Sequence, residues 1–257
     1  MIYVYAITRE PVTPDAEAID QTRRFGAAAA GGICAVYTTV KDEEFSQDTI
    51  DRRAADLEWL GAIGYRHQAV VSELMKTTGI VPLRAFTLFS SEEALRDYLG
   101  ENAEMLRQML DRLDGKQEWT LRVELEPQRW SDSLVTRVDS LRELQQQIES
   151  APAGKAFLLR RKLDEEKKRA SNTAEESLVT EIERALLDRL RCETLAEPRE
   201  RREGAHPQIN VLINRDEEAV LQELHVGLNE RYAGEGVSLA LSGPWPPYTF
   251  AGISDER

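Results

Sequence analysis

Two cysteines in 257 residues, Cys34 and Cys192, are too few and too far apart for a disulfide framework or a thiolate metal site. Both read as free thiols of a reducing compartment. The three histidines, His67, His206 and His225, are scattered, with no H-E-x-x-H spacing and no cysteine pair beside them. That removes the usual zinc constellations. No G-x-S-x-G elbow offers a serine nucleophile. The glycines of Phe25-Gly-Ala-Ala-Ala-Ala-Gly-Gly32 are not followed by Lys-Ser/Thr and lack G-x-G-x-x-G spacing, which excludes a phosphate loop and leaves close packing of small residues. No apolar run approaches the ~20 residues that span a bilayer. The opening Met1-Ile-Tyr-Val-Tyr-Ala-Ile7 lacks a charged leader and cleavage site, so a cytoplasmic protein is expected. Positive charge is also short: 33 Lys+Arg face 46 Asp+Glu, a net charge of −13. That balance disfavours nucleic acid and anionic membranes as partners. No metal and no cofactor is expected.

What is present suits two domains of ordinary size, with 41% hydrophobic residues to fill their cores. The first strand, Ile2 to Ile7, is apolar on both faces and belongs near the middle of a sheet. Pro11 and Pro14 break it, and a second strand is predicted over Ile33–Val40. Asp48 to Met75 reads as one or two helices, with Ile50, Ala54, Leu57 and Leu60 as an apolar stripe and a break at Gly61 and Gly64. His67 lies just past that break and reads as structural. The run Gly79-Ile-Val-Pro-Leu-Arg-Ala-Phe-Thr-Leu-Phe89 holds Pro82, which suits an edge, a bulge or a strand start. Its one charge, Arg84, calls for a carboxylate partner. Ser90 or Ser91 opens a helix to about Gly100, a second spans Ala103 to Leu113, and Gly115 supplies a left-handed cap. A domain boundary is placed after Asp114.

Gly115-Lys-Gln-Glu-Trp-Thr-Leu-Arg-Val123 alternates: Trp119, Leu121, Val123 and Leu125 face a core while Glu118, Thr120, Arg122 and Glu124 face water. Leu134 to Ile148 is helical. From Gly154-Lys-Ala-Phe-Leu-Leu-Arg-Arg-Lys162 a charged helical stretch runs to about Arg191. Leu163, Ala170, Ala174, Leu178, Ile182, Ala185, Leu186 and Leu190 recur in it at helical spacing, and the mixed-sign remainder reads as a solvated face. Heptad register is poor, so a projecting helical excursion is expected before a coiled coil, with an interaction arm as the alternative. An edge strand near Arg199–Glu203, a strand at Gln208–Asn214, a helix over Asp216–Tyr232 and a strand from Val237 complete a β-α-β-β-α-β order, which is ferredoxin-like. The expected architecture is α+β: an N-terminal α+β domain (1–114) and a ferredoxin-like C-terminal domain (115–257) with inserted charged helices at about 155–192. The chain closes on Gly243-Pro244-Trp245-Pro246-Pro247-Tyr248-Thr249-Phe250-Ala251. Gly243 permits a sharp exit and the prolines forbid a helix or central strand. A stiff extended segment follows, whose aromatics staple the terminus to a core in preference to meeting a partner.

That closing stretch resembles the signature of the gas vesicle protein L/F family (GvpL/GvpF). Three further stretches resemble the same family. The run containing Pro82, Arg84 and Phe86 is similar to its Val-x-Pro-x-Arg-Phe-Gly-x-x-Phe pattern, departing at Ala85 and at Thr87, which is read as replacing a glycine. Glu118 and Trp119 match a Gly-x-x-Glu-Trp strand, and Gly154–Lys162 is the third. The family positions are thus Pro82, Arg84, Phe86, Glu118, Trp119, Gly243, Pro244, Trp245, Pro246, Pro247, Tyr248 and Phe250, as structural or partner contacts. The resemblance implies a cytoplasmic, non-enzymatic accessory protein of gas vesicle formation. It implies a minor component that binds the small hydrophobic shell protein GvpA through its N-terminal domain and meets other accessory proteins. A strand edge or an apolar patch could shield the shell protein before assembly. The alternative is an enzyme with a carboxylate-based site near His67 and Arg84. A third reading is a component of the finished vesicle wall.

Overall fold

The computed structural model describes residues 1–197 and 206–252. The chain divides into two compact units, Met1–Glu118 together with the segment from Pro244 onward, and Trp119–Gly243. The reading that gave everything after Asp114 to a second domain therefore differs at the tail, which packs with the first unit.

In the first unit, β1 (Ile2–Thr8) is buried along all seven residues and lies in the interior of a five-stranded antiparallel sheet. A strand apolar on both faces can only be satisfied there. On one side β2 (Gly26–Ala30) pairs with β3 (Ile33–Thr39), which pairs with β1. The pairing of Ala30 with Ile33 leaves a two-residue turn, Gly31-Gly32, with φ of +58° and +75°. Two consecutive left-handed residues define a type I′ hairpin. The glycines thus serve a turn, and a Cβ on Gly31 would also sit 2.4 Å from the Ala103 methyl.

After α1 (Asp42–Phe45) and α2 (Gln47–Arg53) comes the long α3 (Leu57–Thr77). The expected break at Gly61 and Gly64 does not occur. The chain breaks at residues 54–56 instead, where Asp56 caps α3 by accepting from the Trp59 N–H. The inward stripe is accordingly Ile63, His67, Val70, Val71, Leu74 and Met75, while Ala54 and Leu57 are exposed. Two short strands, β4 (Ile80–Pro82) and β5 (Leu88–Phe89), both pair with β1. Helix α4 (Glu92–Glu101) starts at the Ser91 cap as expected, and α5 (Ala103–Leu113) follows.

The strand β6 (Lys116–Leu125) carries the chain into the second unit. Then come α6 (Pro127–Arg137), α7 (Asp139–Ser150), α8 (Ala153–Arg189), β7 (Glu193–Glu197), β8 (Gln208–Asn214), α9 (Glu218–Tyr232) and β9 (Val237–Trp245). The second sheet has the order β7-β8-β6-β9. The edge strand expected at Arg199–Glu203 lies outside the described residues. Leu134–Ile148 is two helices rather than one, parted at Val138.

The charged stretch is a single 37-residue helix and not a projecting excursion. Residues 155–189 contain neither glycine nor proline, so nothing stops propagation. Leu163, Leu178, Ile182 and Leu186 are buried in the second unit's core beside Leu141, Leu144 and Leu134. The stripe expected from the sequence is the inward side, with Ala170, Ala174 and Ala185 packed against the same core, and the projecting reading fails because that stripe buries one side of the helix.

Candidate functional site

The first unit gathers aromatic and polar side chains around His67. Tyr3 and Tyr5 point from β1 toward α3, and the His67 ring stacks on Tyr5 with centroids 5.6 Å apart. His67 Nε2 lies 2.9 Å from the Leu83 carbonyl oxygen, which can only accept, so the proton is on Nε2. Nδ1 is then an acceptor, filled by the Tyr3 hydroxyl at 3.0 Å. The Tyr3 oxygen in turn accepts from the Phe86 N–H at 3.2 Å. Both ring nitrogens are committed, and burial pushes the His67 pKa down to about 4. A neutral, saturated imidazole is a structural element, as the sequence reading held. Burial raises Tyr3 and Tyr248 above the ordinary phenol range and takes Tyr5 to about 12.

The β4–β5 connection is shaped by the same network. Pro82 ends the ladder, the Leu83 N–H bonds to the Tyr5 carbonyl, and a turn closes from Thr87 N–H to Arg84 O at 3.2 Å. Phe86 sits in that turn at φ +67°, in the left-handed region. The position suited to glycine is therefore 86 and not 87. The backbone cost, of order 1–2 kcal/mol, is set against ring contact with Trp59, whose centroid is 5.4 Å away. Both Phe86→Ala and Phe86→Gly lose the ring, but only glycine tolerates the turn. Phe86→Gly is expected to be the more stable of the two by about 1 kcal/mol in urea denaturation. Equal stabilities would mean that the turn relaxes.

The closing motif folds back onto this unit. Contrary to the sharp exit expected at Gly243, β9 continues through Pro244 to Trp245. A proline is tolerated there because β9 is the last strand of its sheet. Nor is the remainder extended: Tyr248 N–H reaches Pro246 O at 2.7 Å and Ala251 N–H reaches Pro247 O at 2.9 Å. Pro246, Pro247 and Phe250 are buried, while Gly243 takes a φ of +140°. Tyr248 packs against the core that holds Tyr3 and Tyr5, and its hydroxyl donates to Gln68 Oε1 at 3.3 Å. Glu118 was expected on a wet face. It is buried, and its carboxylate accepts from the Thr249 hydroxyl at 2.6 Å and the Thr249 N–H at 3.0 Å. The tail covers Glu118, a position that alternation alone assigns to water.

The structure therefore brings Pro82, Phe86, Glu118, Tyr248 and Phe250 together in one unit. Trp119 falls in the second unit's core. Arg84 and Trp245 are exposed, although each has an interaction. Tyr3 and Thr249 are the members that sequence reasoning missed, and the pairing of Tyr3 with His67 went unseen. Tyr3 and His67 were visible only as an apolar-strand residue and a lone histidine. Burial also raises the Cys34 thiol pKa, as expected for an inert cysteine. Among the described residues no cluster of His, Cys, Asp or Glu could hold a metal ion, and no helix is long and apolar enough to cross a membrane.

What stays outside this packed interior is a strip on α3. Leu57 and Tyr65 are 81% and 77% exposed, with Gly61 between them and Ala69 beyond at four-residue spacing. Trp59 borders the strip, half-buried beneath the Arg53 guanidinium at 4.5 Å.

The architecture is that of a mixed α/β protein built on two sheets. The chain belongs to the gas vesicle L/F family: the family model described as "Gas vesicle synthesis protein GvpL/GvpF" matches residues 1–252. It is 29% identical to Gas vesicle protein L of a Streptomyces species over 99% of this chain and 94% of the relative. It is 28% identical to Gas vesicle protein L2 of Halobacterium salinarum over 97% and 90%. The crystal structure of GvpF from Microcystis aeruginosa shares its fold, with a TM-score of 0.68 at 14% identity over 98% of this chain and 99% of that one. GvpF from Anabaena gives 0.67 at 17% identity over 98% and 96%.

Proposed function

We propose that this protein is a non-enzymatic accessory factor of gas vesicle formation that binds the shell protein GvpA through its first unit and works as a minor component. A gas vesicle role follows from the family. The shell-protein contact is carried by the α3 strip, where Leu57 and Tyr65 are the most exposed of the unit's described large apolar side chains, ahead of Met105 and Trp245 at 42% each. An isolated exposed leucine means little, but two large apolar side chains aligned on one helix with small residues between them form a face. A small hydrophobic subunit that polymerises through apolar surface gains from such a cover until it is incorporated.

Strand addition is the weaker route. β1 is interior, β2 has α4 against it, and β4 is three residues long and ends at a proline that has no N–H to offer. In this reading the second unit is a ferredoxin-like domain with inserted helices. Its strand order supports that, being second, third, first and fourth along the chain.

The test is co-purification of GvpA with the full chain and with a Leu57→Ser/Tyr65→Ser variant. An N-terminal fragment cut at Asp114 is a poor reagent, because it lacks Glu118 and the tail that pack with the first unit. Retention is expected to fall about tenfold or more, with the melting temperature unchanged. Full retention by a folded double variant would remove α3 as the contact.

A further inference from the structure

The third family stretch, Gly154–Lys162, takes no part in the function proposed above, and it forms the most basic exposed surface of the second unit's helices. Ala156 and Leu163 are buried and Leu159 is partly so, which fixes the inward side of α8 at i, i+3 and i+7. The outward side then carries residues 154, 157–158 and 161, with Lys155 and Lys162 exposed on one flank and Arg160 on the other. Phe157 and Leu158 are 68% and 67% exposed there. Arg161 lies one turn beyond Phe157, and Lys155 and Lys162 lie on either side of Leu158 along the helix. Residues 151–163 contain no carboxylate, in a chain whose net charge is −13. Arg161 reaches Glu165 at 3.6 Å, an exposed i,i+4 pair. Lys155, Arg160 and Lys162 form no ion pair among the described residues.

We propose that the first three turns of α8 are a docking surface for an acidic amphipathic segment of a partner protein. Phe157 and Leu158 would seat its apolar residues, and Lys155, Arg160, Arg161 and Lys162 would pair with carboxylates flanking them. Charge complementarity selects this occupant. Two exposed apolar side chains next to cations cannot be covered by a neutral apolar helix without stranding the charges. An anionic membrane fits less well. The apolar face spans about one turn, whereas an interfacial helix buries a long one. A second copy fits less well again. Antiparallel α8 pairing across Leu163 would offer Asp164-Glu-Glu-Lys-Lys-Arg169, which has no net charge. The inference does not depend on the α3 contact, since it uses a different unit.

The test is fluorescence anisotropy of the full chain with a labelled helical peptide of Leu and Glu faces, beside the same peptide with Lys in place of Glu. The Glu peptide is expected to bind and the Lys peptide not to. Binding should weaken about tenfold or more in Lys155→Glu/Arg160→Glu/Lys162→Glu and in Phe157→Ser/Leu158→Ser, and should fall with added salt. The charge-reversed variant should instead take up the Lys peptide. All the replaced side chains are exposed, so circular dichroism and melting temperature should match wild type. Several results would overturn the proposal. These are no binding of the Glu peptide, equal binding by folded variants, capture by phosphatidylglycerol vesicles in place of the peptide, or a wild-type dimer that the same variants convert to monomer.

Discussion

Glu118→Ala is expected to destabilise the first unit by about 3 kcal/mol and to release the terminal segment. The carboxylate is buried and accepts two hydrogen bonds from Thr249, one from its hydroxyl and one from its backbone N–H. Hydrogen bonds to a charged group contribute about 1.5–3 kcal/mol each, and removing the acceptor leaves a desolvated N–H with no compensating bond. The aromatics on either side add to the effect. Tyr248 packs against the core around β1 and Phe250 is buried, so a tail that leaves exposes both to water. Glu118→Gln keeps one acceptor oxygen and should lose roughly half as much. Urea denaturation reads the stabilities, and limited proteolysis reads the tail, which should become sensitive after Gly243 in the alanine variant first. An alanine variant as stable and as resistant as wild type would show that the tail is held by its aromatics alone.

The same residue marks where the sequence stopped being legible. Alternation along β6 correctly placed Trp119, Leu121 and Val123 in a core. It also placed Glu118 in water, because alternation assigns faces and says nothing of what a distant segment lays over them. The staple reading of the aromatic tail was sound, but its shape was not. Prolines limit φ and remove donors without dictating the turn that Pro246 and Pro247 enter. The central position of β1 was readable since both of its faces are apolar. The α3 boundary was not, because Gly61 and Gly64 look like a break when helix propensity is weighed locally, while tertiary burial of Ile63, Val70 and Leu74 carries the helix through them. The charged stretch of α8 misled for a related reason. Its apolar stripe was readable at helical spacing, but whether that stripe docks or projects was not, because alanines at 170 and 174 carry the contact between Leu163 and Leu178 and a small side chain gives little sign of burial. The Tyr3–His67 pair was out of reach: the two are 64 residues apart, and no local pattern links them.

That pair yields the other large prediction, a loss of stability in acid that one residue controls. His67 is neutral in the fold, with a pKa near 4 because burial penalises the imidazolium, against an unfolded value of 6.5. Between those two pH values the unfolded chain binds a proton that the folded chain refuses. Stability contributed by the neutral ring is thus fully present above pH 6.5 and falls as pH drops, until the folded form also protonates near pH 4. The span of about 2.5 pH units corresponds to roughly 3 kcal/mol. Tyr3 offers no relief at low pH, since a protonated Nδ1 would turn a donor toward its hydroxyl proton and disturb the bond from the Phe86 N–H. His67→Gln removes the titration while keeping polar atoms in the site. It should be less stable than wild type at pH 7, because the ring stacked on Tyr5 is lost. Its stability should then fall by about 3 kcal/mol less than wild type's on going from pH 7 to pH 4, so the two curves converge. Carboxylates that titrate in the same range, such as Glu92 and Glu217, whose pKa values lie below the ordinary range, act equally in both proteins and cancel in the difference. Parallel curves would mean that the folded chain accepts the His67 proton near its ordinary pKa, which burial of the ring and the Tyr3 hydroxyl on Nδ1 oppose unless the Leu83–Phe86 turn opens.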